Sequence, residues 1–81
     1  MDIEERVKRL IIRELELPVE PREISSDSLL FEGIGLDSVA TLELIVAIEE
    51  EFDIIMADED ITLEVLDSVR SLSDYIKTKI V

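Results

Sequence analysis

Apolar residues in this chain recur three and four positions apart. That is the spacing of one face of an α-helix, not the alternation of a strand. Ile3, Val7, Leu10, Ile11 and Leu15 make the first such stripe. On the same segment Glu4 precedes Lys8, and Glu5 precedes Arg9, by one helical turn, and each pair adds about 0.2–0.5 kcal/mol. Leu17 stands before Pro18 and is biased away from helical geometry, so the helix stops there. Residues 37–52 carry a second stripe of Val39, Leu42, Ile45, Val46, Ile48 and Phe52, read as one inward arc. Asp37 or Ser38 can cap its start. Ala40, Glu43, Ala47 and Glu50 are placed on the outward side. A short third helix is expected near 59–66, with Asp58 as cap and Ile61, Val65 and Leu66 inward. The last helix is expected after Asp67 or Ser68, with Val69, Leu72, Ile76 and Ile80 as its stripe.

Residues 18–36 keep no period. Pro18, Pro21, the Ser25-Ser26-Asp27-Ser28 cluster, Gly33 and Gly35 punctuate them. Val19, Ile24, Leu29, Leu30, Phe31, Ile34 and Leu36 nevertheless have to be pinned across a core, with a helical turn expected near Ser28–Phe31. Structured connections of this length are uncommon in small domains and usually functional. At 81 residues the chain has room for one domain, 1–81. The expected fold is all-α: a small antiparallel four-helix bundle with a long structured loop between helices 1 and 2 and a short third helix.

The charge is segregated. Residues 23–69 contain fourteen acids and no base, while the whole chain is −13. Such a field repels phosphate backbones and anionic lipid surfaces, which argues against nucleic-acid and membrane partners. It steers encounters with basic proteins instead. There is no cysteine and no histidine. Thiolate metal sites, cysteine nucleophiles and the commonest general base are therefore excluded. The charged N-terminal segment and the lack of a long apolar run point to a cytoplasmic protein, expected to be monomeric. Asp58-Glu59-Asp60 lacks the glycine and final acid of a calcium loop and is expected at most to share a hard cation loosely.

The informative stretch is Gly33-Ile34-Gly35-Leu36-Asp37-Ser38-Val39. It sets a serine hydroxyl at the first turn of the main helix, beside free backbone N–H groups. A phosphoryl group esterified there would gain about 0.3–1 kcal/mol from the helix dipole. Asp37 either caps the helix or offers a carboxylate beside the hydroxyl where a modifying enzyme's magnesium is held. These two roles are compatible. Ser38 and Asp37 can also be capping chemistry and nothing more. Catalysis by Ser38 has no support, because no histidine exists to activate it.

Several segments together resemble acyl carrier proteins. They are Ile3-Glu4-Glu5-Arg6-Val7-Lys8, Gly35-Leu36-Asp37-Ser38-Val39, Glu43, Glu49-Glu50-Glu51-Phe52-Asp53, Asp58-Glu59-Asp60 and Asp74-Tyr75-Ile76. The resemblance spans essentially the whole chain. It implies a four-helix bundle without catalytic residues, in which Ser38 bears 4′-phosphopantetheine. A phosphopantetheinyl transferase would install that arm from coenzyme A with magnesium, recognising Asp37 beside the serine. The arm's thiol would carry acyl groups as thioesters to fatty-acid or polyketide-type enzymes: acyl-loading, condensing and tailoring enzymes with basic docking patches. Glu43, Ala47, Glu50 and Glu51 would form the docking face. Val39, Leu42, Ile45, Val46 and Ile48 would line a cavity for the acyl chain. The sequence departs from the family pattern at Gly33, Val39, Ala40 and Met56-Ala57. Those departures bear on which partners it serves and leave the attachment chemistry intact. Two other readings are an aminoacyl or peptidyl carrier domain and a cofactor-free acidic helical adaptor.

Overall fold

The computed structural model describes residues 2–80. Among the described residues four α-helices occur in chain order: α1 (Ile3–Leu15), α2 (Ser38–Phe52), α3 (Leu63–Leu66) and α4 (Val69–Lys79). No strand occurs among the described residues, and the one backbone bridge joins Leu29 to Ser68.

α1 starts where the Asp2 carboxylate accepts from the Glu5 N–H at 2.8 Å. It ends with Glu16 in the left-handed region, at φ 51°, and Leu17 N–H returning to the Ile12 carbonyl at 3.0 Å. α1 and α2 run antiparallel. The Arg6 guanidinium near the start of α1 donates to the Glu51 carboxylate near the end of α2 at 3.1 Å. It also lies 4.4 Å above the Phe52 ring.

The core is made of Val7, Leu10 and Ile11 from α1, Leu44, Ile45, Ala47, Ile48 and Phe52 from α2, and Val69, Leu72 and Ile76 from α4. Ile24, Leu30, Leu36, Met56 and Leu66 join it from the connections and α3. Each large aliphatic or aromatic side chain among them contributes about 1.5–3 kcal/mol by leaving water.

The face that α2 buries differs from the expected one. Val39, Leu42 and Val46 are more than half exposed, so they do not belong to an inward arc, while Ala47, placed outside by the sequence reading, is buried. The physical reason is rotational. At 100° per residue, Leu44, Ile48 and Phe52 stack on one side, and Ile45 and Ala47 flank them. Val39, Leu42 and Val46 share the opposite side with Glu43 and Glu50. Burying that stripe would have drawn two carboxylates into the core without partners, at prohibitive cost.

The expected third helix is shorter than the sequence implied, and Asp58 is not its cap. Asp58–Asp60 forms a single tight turn, and α3 begins only after Thr62, whose hydroxyl accepts from the Val65 N–H at 3.3 Å. The β-branched pair Ile61-Thr62 disfavours a continuous helix, and the threonine supplies a new cap. α4 begins at Ser68, whose hydroxyl and that of Ser71 each accept from the other's backbone N–H. Ile80, expected on the inner stripe of α4, follows its last turn and is exposed.

The long connection is held in place by backbone hydrogen bonds. Leu30 N–H reaches the Asp67 carbonyl at 3.0 Å, Val69 N–H the Ser28 carbonyl at 3.2 Å, and Arg70 N–H the Ser26 carbonyl at 2.8 Å. Arg70 pairs with Asp27 at 2.9 Å, and the Ser26 hydroxyl donates to Glu4. The turn expected near Ser28–Phe31 falls slightly later, as one wide turn at Leu30–Ile34. Leu36 N–H closes back to the Leu30 carbonyl at 2.8 Å, and Gly35 between them sits at φ 91°, where a side chain would be strained. This geometry delivers the chain to the start of α2.

Candidate functional site

Ser38 is the first helical residue of α2, and Asp37 is the cap. The Asp37 Oδ1 accepts from the Ala40 N–H at 2.7 Å. Its carbonyl accepts from the Thr41 N–H at 2.8 Å and from the Thr41 hydroxyl at 2.6 Å. Of the two capping candidates, the aspartate therefore holds the helix, and the serine is left out of the cap. Ser38 is exposed. Asp37 is exposed as well, and one of its carboxylate oxygens is not used by the cap contact.

The approach to the hydroxyl is open. A Cβ built on Gly35 would meet nothing within 4 Å. The backbone N–H groups of Ser38 and Val39 lie in the first turn, ahead of any intrahelical acceptor, and point toward the end where negative charge is stabilised. A phosphodiester on the Ser38 oxygen fits this place: it is reachable from solvent and electrostatically favoured by the helix end.

The expected docking residues do come together. Glu43, Ala47, Glu50 and Glu51 line one groove of about 640 Å³ between α1 and α2. Leu42 and Val46 are also in its lining, with Arg13 and Glu14 from α1. The apolar set named for an acyl cavity divides. Ile45 and Ile48 are in the core, whereas Val39, Leu42 and Val46 are on the surface, beside the acids. The outer face of α2 is thus apolar along its middle and acidic at its edges. Arg13 reads from the sequence as part of a charged helix surface, whereas Glu14, seven residues after Val7 and four after Leu10, falls on the apolar side of α1, so its place at the groove had no sequence signal. Arg13 contacts Glu14 at 3.2 Å, so its charge is partly offset within the groove.

The cluster Asp58-Glu59-Asp60 does not gather round a cation. Asp60 accepts from the Tyr75 hydroxyl at 2.8 Å and faces Lys79 at 3.6 Å. Among the described residues no group of three potential ligands could hold a metal ion. Tyr75 is pushed up to about 12, first by burial of its ring and then by the hydrogen bond to the Asp60 carboxylate and that carboxylate's charge. No helix among the described residues is long and apolar enough to cross a membrane.

Comparison with known proteins gives this geometry a family. The phosphopantetheine attachment site family matches residues 5–76. Among solved structures, the holo acyl carrier protein of Nitrosomonas europaea is similar at 26% identity and a TM-score of 0.84, covering 96% of this chain and 95% of that one. A carrier protein from Agrobacterium tumefaciens, in complex with an engineered Bradyrhizobium japonicum glycine:[carrier protein] ligase and ATP, is 25% identical with a TM-score of 0.80. The match covers 94% of this chain and 97% of that one. A glycylated carrier protein bound to the Bradyrhizobium japonicum ligase is 27% identical with a TM-score of 0.71, covering 93% and 99%. The helical fold expected from the sequence is the fold of these carriers. The group they imply here is covalently bound 4′-phosphopantetheine, which the open first turn of α2 accommodates. The chain belongs to the phosphopantetheine attachment site family and is a carrier protein.

Proposed function

We propose that Ser38 is the attachment point and that the chain carries acyl intermediates as thioesters on the arm. The observation that carries this reading is the exposed Ser38 at the first turn of α2, freed from capping by Asp37, inside a family match that spans 5–76. In the loading reaction the Ser38 hydroxyl loses its proton, its oxygen bonds the phosphoryl phosphorus, and the nucleotide half of coenzyme A departs. The bound arm then supplies the thiol chemistry. The chain's own residues present Ser38, favour the phosphate at a helix N-terminus and offer Asp37 to the transferase with its magnesium. Glu43, Glu50 and Glu51 attract the basic patches of loading, condensing and tailoring enzymes, and Val39, Leu42 and Val46 supply apolar contact. In this reading the protein works as a cytoplasmic monomer and does no chemistry of its own.

The cargo has two readings. Fatty-acid or polyketide-type intermediates follow from the general carrier likeness. An aminoacyl cargo is favoured by a specific observation: two of the similar carriers are partners of a glycine ligase, one of them glycylated. Fragmentation mass spectrometry after treatment with coenzyme A and a transferase tests the site. Added mass on residue 38 supports the reading, and added mass elsewhere overturns it. Offering the arm-bearing protein to a glycine:carrier ligase with ATP, and separately to a malonyl-loading enzyme, then separates the two cargoes.

A further inference from the structure

The groove between α1 and α2 begins one helical turn from the serine. Residues four apart on a helix form one ridge, and Ser38, Leu42, Val46 and Glu50 follow one another at that spacing. Leu42, Val46 and Glu50 all line the groove of about 640 Å³. Leu42 and Val46 are 66% and 53% exposed, so the ridge lays an apolar track from Ser38 into the groove. The α1 wall carries a base. Arg6 meets Glu51 across the antiparallel pair. Arg13 lies two turns further along α1, so it stands about 10 Å back toward the Ser38 end. Its contact with Glu14 uses Nε, and its side chain is 63% exposed, which leaves its terminal N–H groups open to another acceptor.

We propose that this groove is the resting site of the phosphopantetheine arm itself, with the arm's paired methyl groups on Leu42 and Val46 and its amide carbonyls accepting from Arg13. This rests on the reading of Ser38 as the attachment point. The tether favours the arm over any free ligand. A group bound to Ser38 is held one turn from Leu42 at an effective concentration in the millimolar range, so weak contacts suffice to seat it. Length fits as well. The arm has roughly fourteen bonds from the serine oxygen to its sulfur and advances about 1.2 Å per bond when extended, about 17 Å in all. α2 rises about 18 Å from Ser38 to Glu50, at the far end of the groove. Charge separates the arm from an enzyme's basic patch. Beyond its phosphate the arm is neutral and meets Arg13 as an acceptor, whereas a lysine or arginine meets it as a like charge. An enzyme that docks on Glu43 and Glu50 covers the same face, so docking displaces the arm and releases the thiol.

The probe is the arm, installed with coenzyme A and a phosphopantetheinyl transferase and driven to full loading as judged by intact mass. Amide NMR spectra of the unloaded and loaded protein are compared. NOE spectra of the loaded form and the rate at which neutral iodoacetamide alkylates the thiol follow. Loading is expected to shift Arg13, Val46 and Ala47 as well as the residues beside Ser38, and to give NOEs from the arm's methyl groups to Leu42 and Val46. The double variant Leu42→Ser with Val46→Ser is expected to lose the shift at Arg13 and to be alkylated at least two-fold faster. Arg13→Ala is expected to be alkylated faster too. Ile55→Ser is the matched control: Ile55 is 82% exposed, lies beyond the far end of α2, and should keep the wild-type rate. Circular dichroism melts check that each variant keeps its fold. Shift changes confined to residues 36–41 without those NOEs overturn the proposal, as do wild-type alkylation rates in both groove variants or an equal rise for Ile55→Ser. Failure of the attachment reading looks different: wild type then gains no mass at all, or Ser38→Ala gains it.

Discussion

Replacing Ser73 by alanine should stabilise this protein. Ser73 sits on the inner face of α4 with Val69, Leu72 and Ile76, is fully buried, and its hydroxyl has no hydrogen-bond partner. A buried hydroxyl without a partner costs about 1–3 kcal/mol relative to water. Alanine removes that cost and also favours the helix by roughly 0.5 kcal/mol over serine. The oxygen's departure leaves a small void, which returns a fraction of a kcal/mol. The net expectation is a gain of about 1–2 kcal/mol. For a domain of this size each kcal/mol moves the melting temperature by roughly 4–8 °C, so a rise of about 4–15 °C is expected. Thermal melts by circular dichroism and urea titrations with an unchanged m-value would measure it. A melting temperature equal to or below wild type would refute the reasoning. It would mean that the hydroxyl is satisfied in solution, most simply by the carbonyl one turn earlier at Val69.

Three further outcomes follow from the geometry. Asp37→Ala should cost about 1 kcal/mol by removing the α2 cap, whereas Ser38→Ala should cost almost nothing; equal losses in parallel melts would show that the cap is shared. Tyr75 has a folded-state pKa raised from 10.0 to about 12, so its stabilising effect is complete below pH 10 and is lost as pH rises through 12. Tyr75→Phe should abolish that alkaline loss, and urea titrations at pH 9 and 12 on both proteins would reveal an unchanged slope if the assignment were wrong. Of the fourteen acids between residues 23 and 69, Asp27, Glu51 and Asp60 are in ion pairs. Sodium chloride should therefore raise the melting temperature by screening the rest, and Glu43→Lys should slow transferase association while flattening its salt dependence.

The helices were legible because their apolar periods are long and their stops are local. Pro18 and the left-handed Glu16 end α1 where the stripe ends. The rotation of α2 was harder, since Val39, Leu42, Leu44, Ile45, Val46, Ala47 and Ile48 are apolar nearly all round the helix. The discriminating signal was the position of the acids. Glu50 and Glu43 fall on the wheel next to Val39 and within about 60° of Val46, and carboxylates do not enter a core unpaired. Following them would have turned Val39, Leu42 and Val46 outward and brought Leu44 in. The serine at the start of α2 was legible from Asp37-Ser38 ahead of an apolar run, but which residue caps was not, because both side chains are competent. Geometry decided it, through the Asp37 contact to Ala40. The stitching of Ser26, Ser28 and Leu30 to Asp67, Val69 and Arg70 had no sequence signal. Backbone hydrogen bonds between irregular segments depend on shape, not on side-chain type.

The central claim is that Ser38, and no other hydroxyl, carries the arm. Intact mass before and after incubation with coenzyme A and a phosphopantetheinyl transferase, on wild type and on folded Ser38→Ala, tests it most directly. The account predicts a single phosphopantetheine increment on wild type and none on the variant. An increment on Ser38→Ala, or none on wild type, would contradict it.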